Sequence, residues 1–216
     1  MKRLAVITAI LSIALTVSNA SASTLTGFGD PIDAAALAGG TVIDFDSGPT
    51  GSYSSLTLLG VTFNDLDYTF RISSAYIGSY NTEGTYSLQN GDYDSTMTHR
   101  LRFDFASAVD AFGFNWGASD DTWLLSAFDS SNNLLDSLSI APTQSSNSGD
   151  YFGIASSNIS YATIVNQSGD NGDFIFLDDF TYKGQGGGGN GVIPEPTTMS
   201  LLGLGLLGLA KLRRKG

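Results

Sequence analysis

The sequence predicts an all-β domain, an antiparallel β-sandwich or jelly roll, framed by two segments that stand outside the fold. Three observations carry that expectation. Of the 21 acidic residues only Glu83 and Glu195 are glutamate; aspartate serves turns and caps, whereas glutamate favours helices. Glycine is abundant, with 26 in the chain. Apolar residues alternate with period two in short runs separated by Gly, Ser, Asn and Asp, the pattern of half-buried strands joined by turns.

The elements follow in order. A short helix is expected from Pro31 to Ala38, with Asp30 as N-cap, Pro31 at the first position and Gly39-Gly40 as the stop. Strands are expected at Thr41–Asp46, Val61–Asn64 and Tyr68–Ser73, the last with Tyr68, Phe70 and Ile72 on one face. Arg100–Phe105 turns Leu101, Phe103 and Phe105 inward and Arg102 and Asp104 outward. Phe112, Phe114 and Trp116 repeat the pattern after a break at Ser107-Ala108. Trp123–Asp129 and Leu134–Ile140 flank Ser130-Ser131-Asn132-Asn133, a hairpin whose asparagines tolerate positive φ. Ile159–Val165 and Phe174–Tyr182 close the series, with Asp170-Asn171-Gly172-Asp173 turning between them. About nine or ten short strands with gaps too small for helices argue against a parallel barrel. Trp116 and Trp123 fall within strand patterns and read as core or edge residues.

Both ends read as targeting segments. Lys2 and Arg3 precede an apolar run from Leu4 to Val17, and Ala20-Ser21-Ala22 offers small residues for cleavage. This is the pattern of a secretory signal peptide over residues 1–22, implying the Sec translocon and signal peptidase as partners. At 14 residues the run falls short of the ~20 that a spanning helix needs. At the other end come Val192-Ile193-Pro194-Glu195-Pro196, an apolar run from Met199 to Ala210, and Lys211-Leu212-Arg213-Arg214-Lys215-Gly216. The two prolines delay any helix until after Pro196. A single transmembrane helix is expected over about 197–212, with Lys211, Arg213, Arg214 and Lys215 as a basic stop on the cytoplasmic side. Such a short helix suits a transient hold on the membrane before processing.

The tail resembles the PEP-CTERM sorting signal, also met as the ice-binding-protein C-terminal domain. Pro194, Glu195 and Pro196 match the motif, Leu201 to Leu209 the Gly/Leu-rich helix and Lys211 to Lys215 the basic cluster. That resemblance implies recognition by an exosortase, cleavage near the motif, and export to the surface or extracellular matrix of a Gram-negative bacterium that makes exopolysaccharide. Gly184 to Gly191 reads as a flexible linker whose eight residues reach roughly 15 Å. The folded module is therefore expected over 23–183, the linker over 184–191 and the sorting signal over 192–216.

Between residues 23 and 184 four cations (Arg71, Arg100, Arg102 and Lys183) face twenty carboxylates, a net charge of −16. Such a surface repels nucleic acid and attracts divalent cations. With no cysteine, disulfides, thiol nucleophiles and Cys-ligated zinc are excluded.

Val42-Ile43-Asp44-Phe45-Asp46, Leu101-Arg102-Phe103-Asp104-Phe105 with Phe112-Gly113-Phe114, and Phe176-Leu177-Asp178-Asp179-Phe180-Thr181-Tyr182 together resemble exported jelly-roll domains akin to carbohydrate-binding modules. In that family the first and last strands lie side by side, often with a structural calcium nearby. If the terminal strands pair, Asp44, Asp46, Asp178 and Asp179 meet as candidate calcium ligands, since calcium takes six to eight oxygens from adjacent loops. Asp120-Asp121 and Asp170 with Asp173 are weaker candidates that also read as solvated turns.

Tyr76, Tyr80, Tyr86 and Tyr93 fall close together among Asn and Asp side chains, a composition suited to stacking on sugar rings. Alternatively, half of these tyrosines point into the sandwich. Glycoside hydrolysis needs a set pair of carboxylates, and no local signature marks one. His99, the single histidine, reads as a surface residue before a strand. The expectation is a non-enzymatic structural or carbohydrate-binding protein of an exopolysaccharide matrix or biofilm. Alternatives are a calcium-dependent adhesin and a glycoside-active enzyme.

Overall fold

The computed structural model describes residues 22–90, 100–143, 150–168 and 173–185. The signal-peptide and sorting-tail expectations, with Ala20, Tyr93, His99 and Asp170, lie outside the described residues. Twelve strands are present among them: β1 Ser23–Phe28, β2 Thr41–Ile43, β3 Gly51–Tyr53, β4 Ser55–Leu58, β5 Val61–Asp65 and β6 Phe70–Ser73; then β7 Ser87–Asn90, β8 Arg100–Gly117, β9 Trp123–Phe128, β10 Leu134–Ile140, β11 Asp150–Asn166 and β12 Phe176–Gly184. Every strand pair is antiparallel, so the fold is all-β.

Two long strands make two layers out of one hydrogen-bonded network. A straight strand would separate Phe103 and Phe114 of β8 by about 36 Å at ~3.3 Å per residue, yet their rings lie 5.7 Å apart. The strand folds over between Phe105 and Val109, where Ser107-Ala108 suggested a break; the pairing of β8 with β11 shifts register there. Strand β11 turns at the same level, with Asn158 at φ 68. The first half of β8 joins one layer in the order β10-β9-β11-β8-β5-β4. Its second half joins the other, β1-β11-β8-β12-β7-β6-β3. Strand β2 lies beside β12 at Thr41–Ile43, so the expected pairing of opening and closing strands is present, although β1 precedes β2.

The core lies between the layers. Phe180 of β12 packs 5.1 Å from both Phe63 and Phe103, and Trp116 packs edge-on to Trp123 at 5.2 Å. Both tryptophans are fully buried. The inward set Leu101, Phe103 and Phe105 is buried as the alternation requires.

The expected helix at Pro31–Ala38 shortens to a single 3-10 turn, Pro31–Asp33. Ala34 is extended (φ −63, ψ 132), and the Asp30 side chain makes no cap hydrogen bond. One oxygen of that carboxylate lies within 4.8 Å of oxygens from Glu83 and Asp179, and the start of the turn has no side-chain cap. Leu37 still anchors the segment by full burial.

Candidate cation and carbohydrate sites

The acidic site grows out of a bulge. Leu177 and Phe180 are both fully buried, but three residues apart they would face opposite sides of a regular strand. An extra residue resets the phase: between Asp178 and Thr181 β12 advances three positions while β8 advances two, from Asn115 to Gly113. Asp179 sits in the left-handed region at φ 46, which a short Asp side chain tolerates better than most. On its other edge β12 changes partner at the same point, pairing with β7 up to Leu177 and with β2 from Phe180. Asp178 and Asp179 therefore occupy a gap between two neighbouring strands.

Loops from both neighbours close on that gap. The Glu83 amide donates to Asp178 Oδ2 (3.0 Å) and the Asp179 amide to Asp178 Oδ1 (2.9 Å). Asp46 Oδ1 accepts from the amides of Thr85 (2.6 Å) and Tyr86 (2.8 Å). Gly84 lies against this carboxylate: with φ +67 and a hypothetical Cβ 2.2 Å from Asp46 Oδ2, no other residue fits there unchanged. Asp44 Oδ1 accepts from the Asp46 amide (3.1 Å).

Asp179 differs from these three. It is 9% exposed, and among the described residues its carboxylate accepts no hydrogen bond. One of its oxygens lies within 4.8 Å of oxygens from Asp30 and Glu83, and these three oxygens can face one ion. Burial pushes Asp179 up to about 7, reinforced by the charges of Glu83, Asp30, Asp44 and Asp46. Burial likewise pushes Asp178 up to about 8, reinforced by Asp179 and opposed by the Glu83 and Asp179 amides. Of the four sequence-predicted calcium residues, only Asp179 belongs to the converging trio. Asp44, Asp46 and Asp178 surround it and spend oxygens on backbone amides. Composition gave no reason to single out Asp30; for Glu83 the one available signal was its being the lone glutamate of an Asp-rich module.

A second site is aromatic. The loop of residues 74–86 joins β6 to β7 and carries Tyr76, Tyr80 and Tyr86. Tyr80 stacks on Phe176 of β12 with centroids 5.7 Å apart and planes at 7°, while Tyr76 meets both rings edge-on at 5.9 and 5.6 Å. With Phe174, Ala118 and Asp120 they line a cleft of about 220 Å³. Tyr76 is 65% exposed. The loop presses onto β8, where a Cβ on Gly117 would lie 1.9 Å from the Tyr80 carbonyl oxygen. Tyr86 is not in the cleft; it packs against the core, and its amide serves Asp46. Phe174 and Phe176 were missed as cleft residues, although their spacing in Asp173-Phe174-Ile175-Phe176 places both on one side of the chain.

Asp173 is no solvated turn residue. It is buried and accepts from the amides of Asp120 (2.7 Å) and Asp121 (3.3 Å) and from Trp123 Nε1 (2.6 Å). Burial raises its pKa, and those donors counter the rise. These three bonds tie the 119–123 turn to the segment leading into β12, so Asp173 is a structural brace.

Comparison with solved structures finds matches at low identity and low TM-score. A family 61 carbohydrate-binding module solved with β-1,4-galactotriose is 15% identical, covering 59% of this chain and 90% of that one at a TM-score of 0.42. A family 29 carbohydrate-binding module is 11% identical, covering 67% and 91% at 0.40. The K2 cleaved adhesin domain of Lys-gingipain is 10% identical, covering 67% and 97% at 0.45. No curated protein sequence matches the chain. Residues 192–215 match the PEP-CTERM protein-sorting motif, and the chain is thereby marked as a secreted protein carrying an exosortase-type sorting tail.

Proposed function

We propose that the mature module is a non-catalytic carbohydrate-binding protein of an exopolysaccharide matrix or biofilm, reached after both ends are removed. In this reading signal peptidase cuts after Ala22, exosortase acts near Pro194-Glu195-Pro196, and 184–191 serves as a tether until that cut. The basic stop at Lys211, Arg213, Arg214 and Lys215 is discarded with the helix. The carrying observation for sugar binding is the exposed ring of Tyr76, set edge-on to a stacked Tyr80–Phe176 pair with a carboxylate at the rim. Aromatic faces of this kind pack against the C–H groups of sugar rings while polar neighbours bond their hydroxyls. A glycan array with the full chain in detergent tests this: Tyr76→Ala should abolish binding. Absence of any glycan signal, or equal binding by Tyr76→Ala, would overturn it.

A second reading, a calcium-dependent adhesin, is favoured by the unpartnered Asp179 carboxylate between Asp30 and Glu83. Hard cations with oxygen ligands suit such a group. Calorimetric titration of calcium into wild type and Asp179→Asn tests it, with binding expected in the first alone. Hydrolase activity fits less well. An acid and a base must flank a substrate bond, whereas these three carboxylates converge on one point away from the aromatic cleft.

A further inference from the structure

We propose that a divalent, oxygen-seeking cation held by Asp30, Glu83 and Asp179 sets the conformation of the 74–86 loop and, through it, the shape of the aromatic cleft. The inference rests on the two readings above and joins them as one regulated site.

The loop is anchored differently along its length. Its first half carries Tyr76 and Tyr80, and three of its non-glycine residues adopt left-handed backbone: Tyr76 at φ 59, Tyr80 at φ 55 and Asn81 at φ 63. Each is a conformation that a residue with a Cβ holds only when its surroundings enforce it. Part of that enforcement is local. Thr82 Oγ1 donates to the carbonyls of Ser79 (2.8 Å) and Tyr76 (3.2 Å), and Asn81 Nδ2 to the Trp116 carbonyl (2.9 Å). More comes from the second half, where the amides of Glu83, Thr85 and Tyr86 are held by Asp178 and Asp46.

Those holding carboxylates belong to a group of like charges. The groups acting on Asp179 besides burial are all carboxylates. Asp179 is nine-tenths buried with no hydrogen bond to its carboxylate among the described residues, and it points at Asp30 and Glu83. A bound cation draws the Glu83 side chain inward and fixes the loop where its amides already bond. Without one, repulsion drives Glu83 outward, the amide ties loosen, and the strained upstream half relaxes. Strand β12 adds a second link: Phe176, on which Tyr80 stacks, lies two residues before Asp178.

The test uses the full chain in detergent with calcium chloride or EDTA, reading amide hydrogen exchange across 74–86 by mass spectrometry, with calorimetry of calcium binding in parallel. Calcium should slow exchange of this segment at least tenfold, including the part around Tyr76 and Tyr80. Asp179→Asn and the more exposed Glu83→Gln should each remove the effect. If calcium binds at Asp179 and exchange in 74–86 does not change, the coupling is overturned while the cleft and cation readings stand. If no calcium binds, or if slowing persists in both variants, the proposal falls with its cation premise. Failure of the glycan array alone would remove the sugar ligand and leave the loop response intact.

Discussion

Replacing Asp179 with asparagine separates the charge at the bulge from its geometry. Asparagine is nearly the same shape and tolerates the left-handed backbone at φ 46, so the bulge should survive. The carboxyl is pushed up to about 7, roughly three pH units above the ~3.9 of a solvated aspartate. At pH 8 the folded chain bears the cost of ionising it, and three units at ~1.4 kcal/mol each set a ceiling near 4 kcal/mol. The amide does not replace a protonated carboxyl atom for atom, so a gain of about 2 kcal/mol is expected in EDTA, or roughly 4–8 °C in Tm for a domain of this size. Circular dichroism melts in EDTA measure it. The gain should shrink below pH 7 and vanish near pH 4, where folded and unfolded chains both hold the proton. Added calcium at pH 8 should reverse the order, raising wild type by about 2.7 kcal/mol at a hundredfold excess over Kd and leaving the variant unmoved. A variant less stable than wild type in EDTA at pH 8 would refute the reasoning.

Three further outcomes are expected. Because Asp178 and Asp179 are raised to about 8 and about 7, the folded state keeps protons that the unfolded state loses. Wild-type stability in EDTA should therefore fall as pH rises from about 4 to 8, at up to ~1.4 kcal/mol per pH unit for each group still holding its proton; a flat or rising urea-unfolding profile would contradict this. Asp173→Ala strands the Trp123 indole N–H and the amides of Asp120 and Asp121, and chemical denaturation should show a loss of about 3 kcal/mol or more. Gly117→Ala forces the Tyr80 carbonyl away from β8; a stability loss of about 1–3 kcal/mol is expected in melts, with glycan binding falling alongside.

Much of the sheet was legible because alternation survives wherever one face is buried and the other wet. Arg100–Phe105 and Leu134–Ile140 are of that kind. The bend in β8 was legible only as a break at Ser107-Ala108, since a strand that changes layers swaps which face is inward. Strands β1, β3, β4 and β7 escaped notice. Ser87–Asn90 is buried throughout and shows no alternation, while the exposed Gly51–Tyr53 has too little apolar content to stand out. The acidic group was half legible: the meeting of Asp44 and Asp46 with Asp178 and Asp179 follows from pairing β2 with β12. Glu83 and Asp30 arrive from loops whose paths no local pattern records. Tyr76 and Tyr80 were separable from Tyr86 only once the path of 74–86 over Gly117 was known.

The position of β12 has a mechanical consequence. A pull on the chain beyond Gly184 loads a strand bonded on both sides, to β8 along one edge and to β2 and β7 along the other, so many hydrogen bonds must shear together before it yields. A pull on Ser23 loads β1, which pairs with β11 alone among the described strands and can be peeled one bond at a time. With a residue of the core held fixed, the module should thus withstand far greater force when tugged by its C-terminal leash than when tugged from its front, a difference that single-molecule stretching from each end against that shared anchor would read directly.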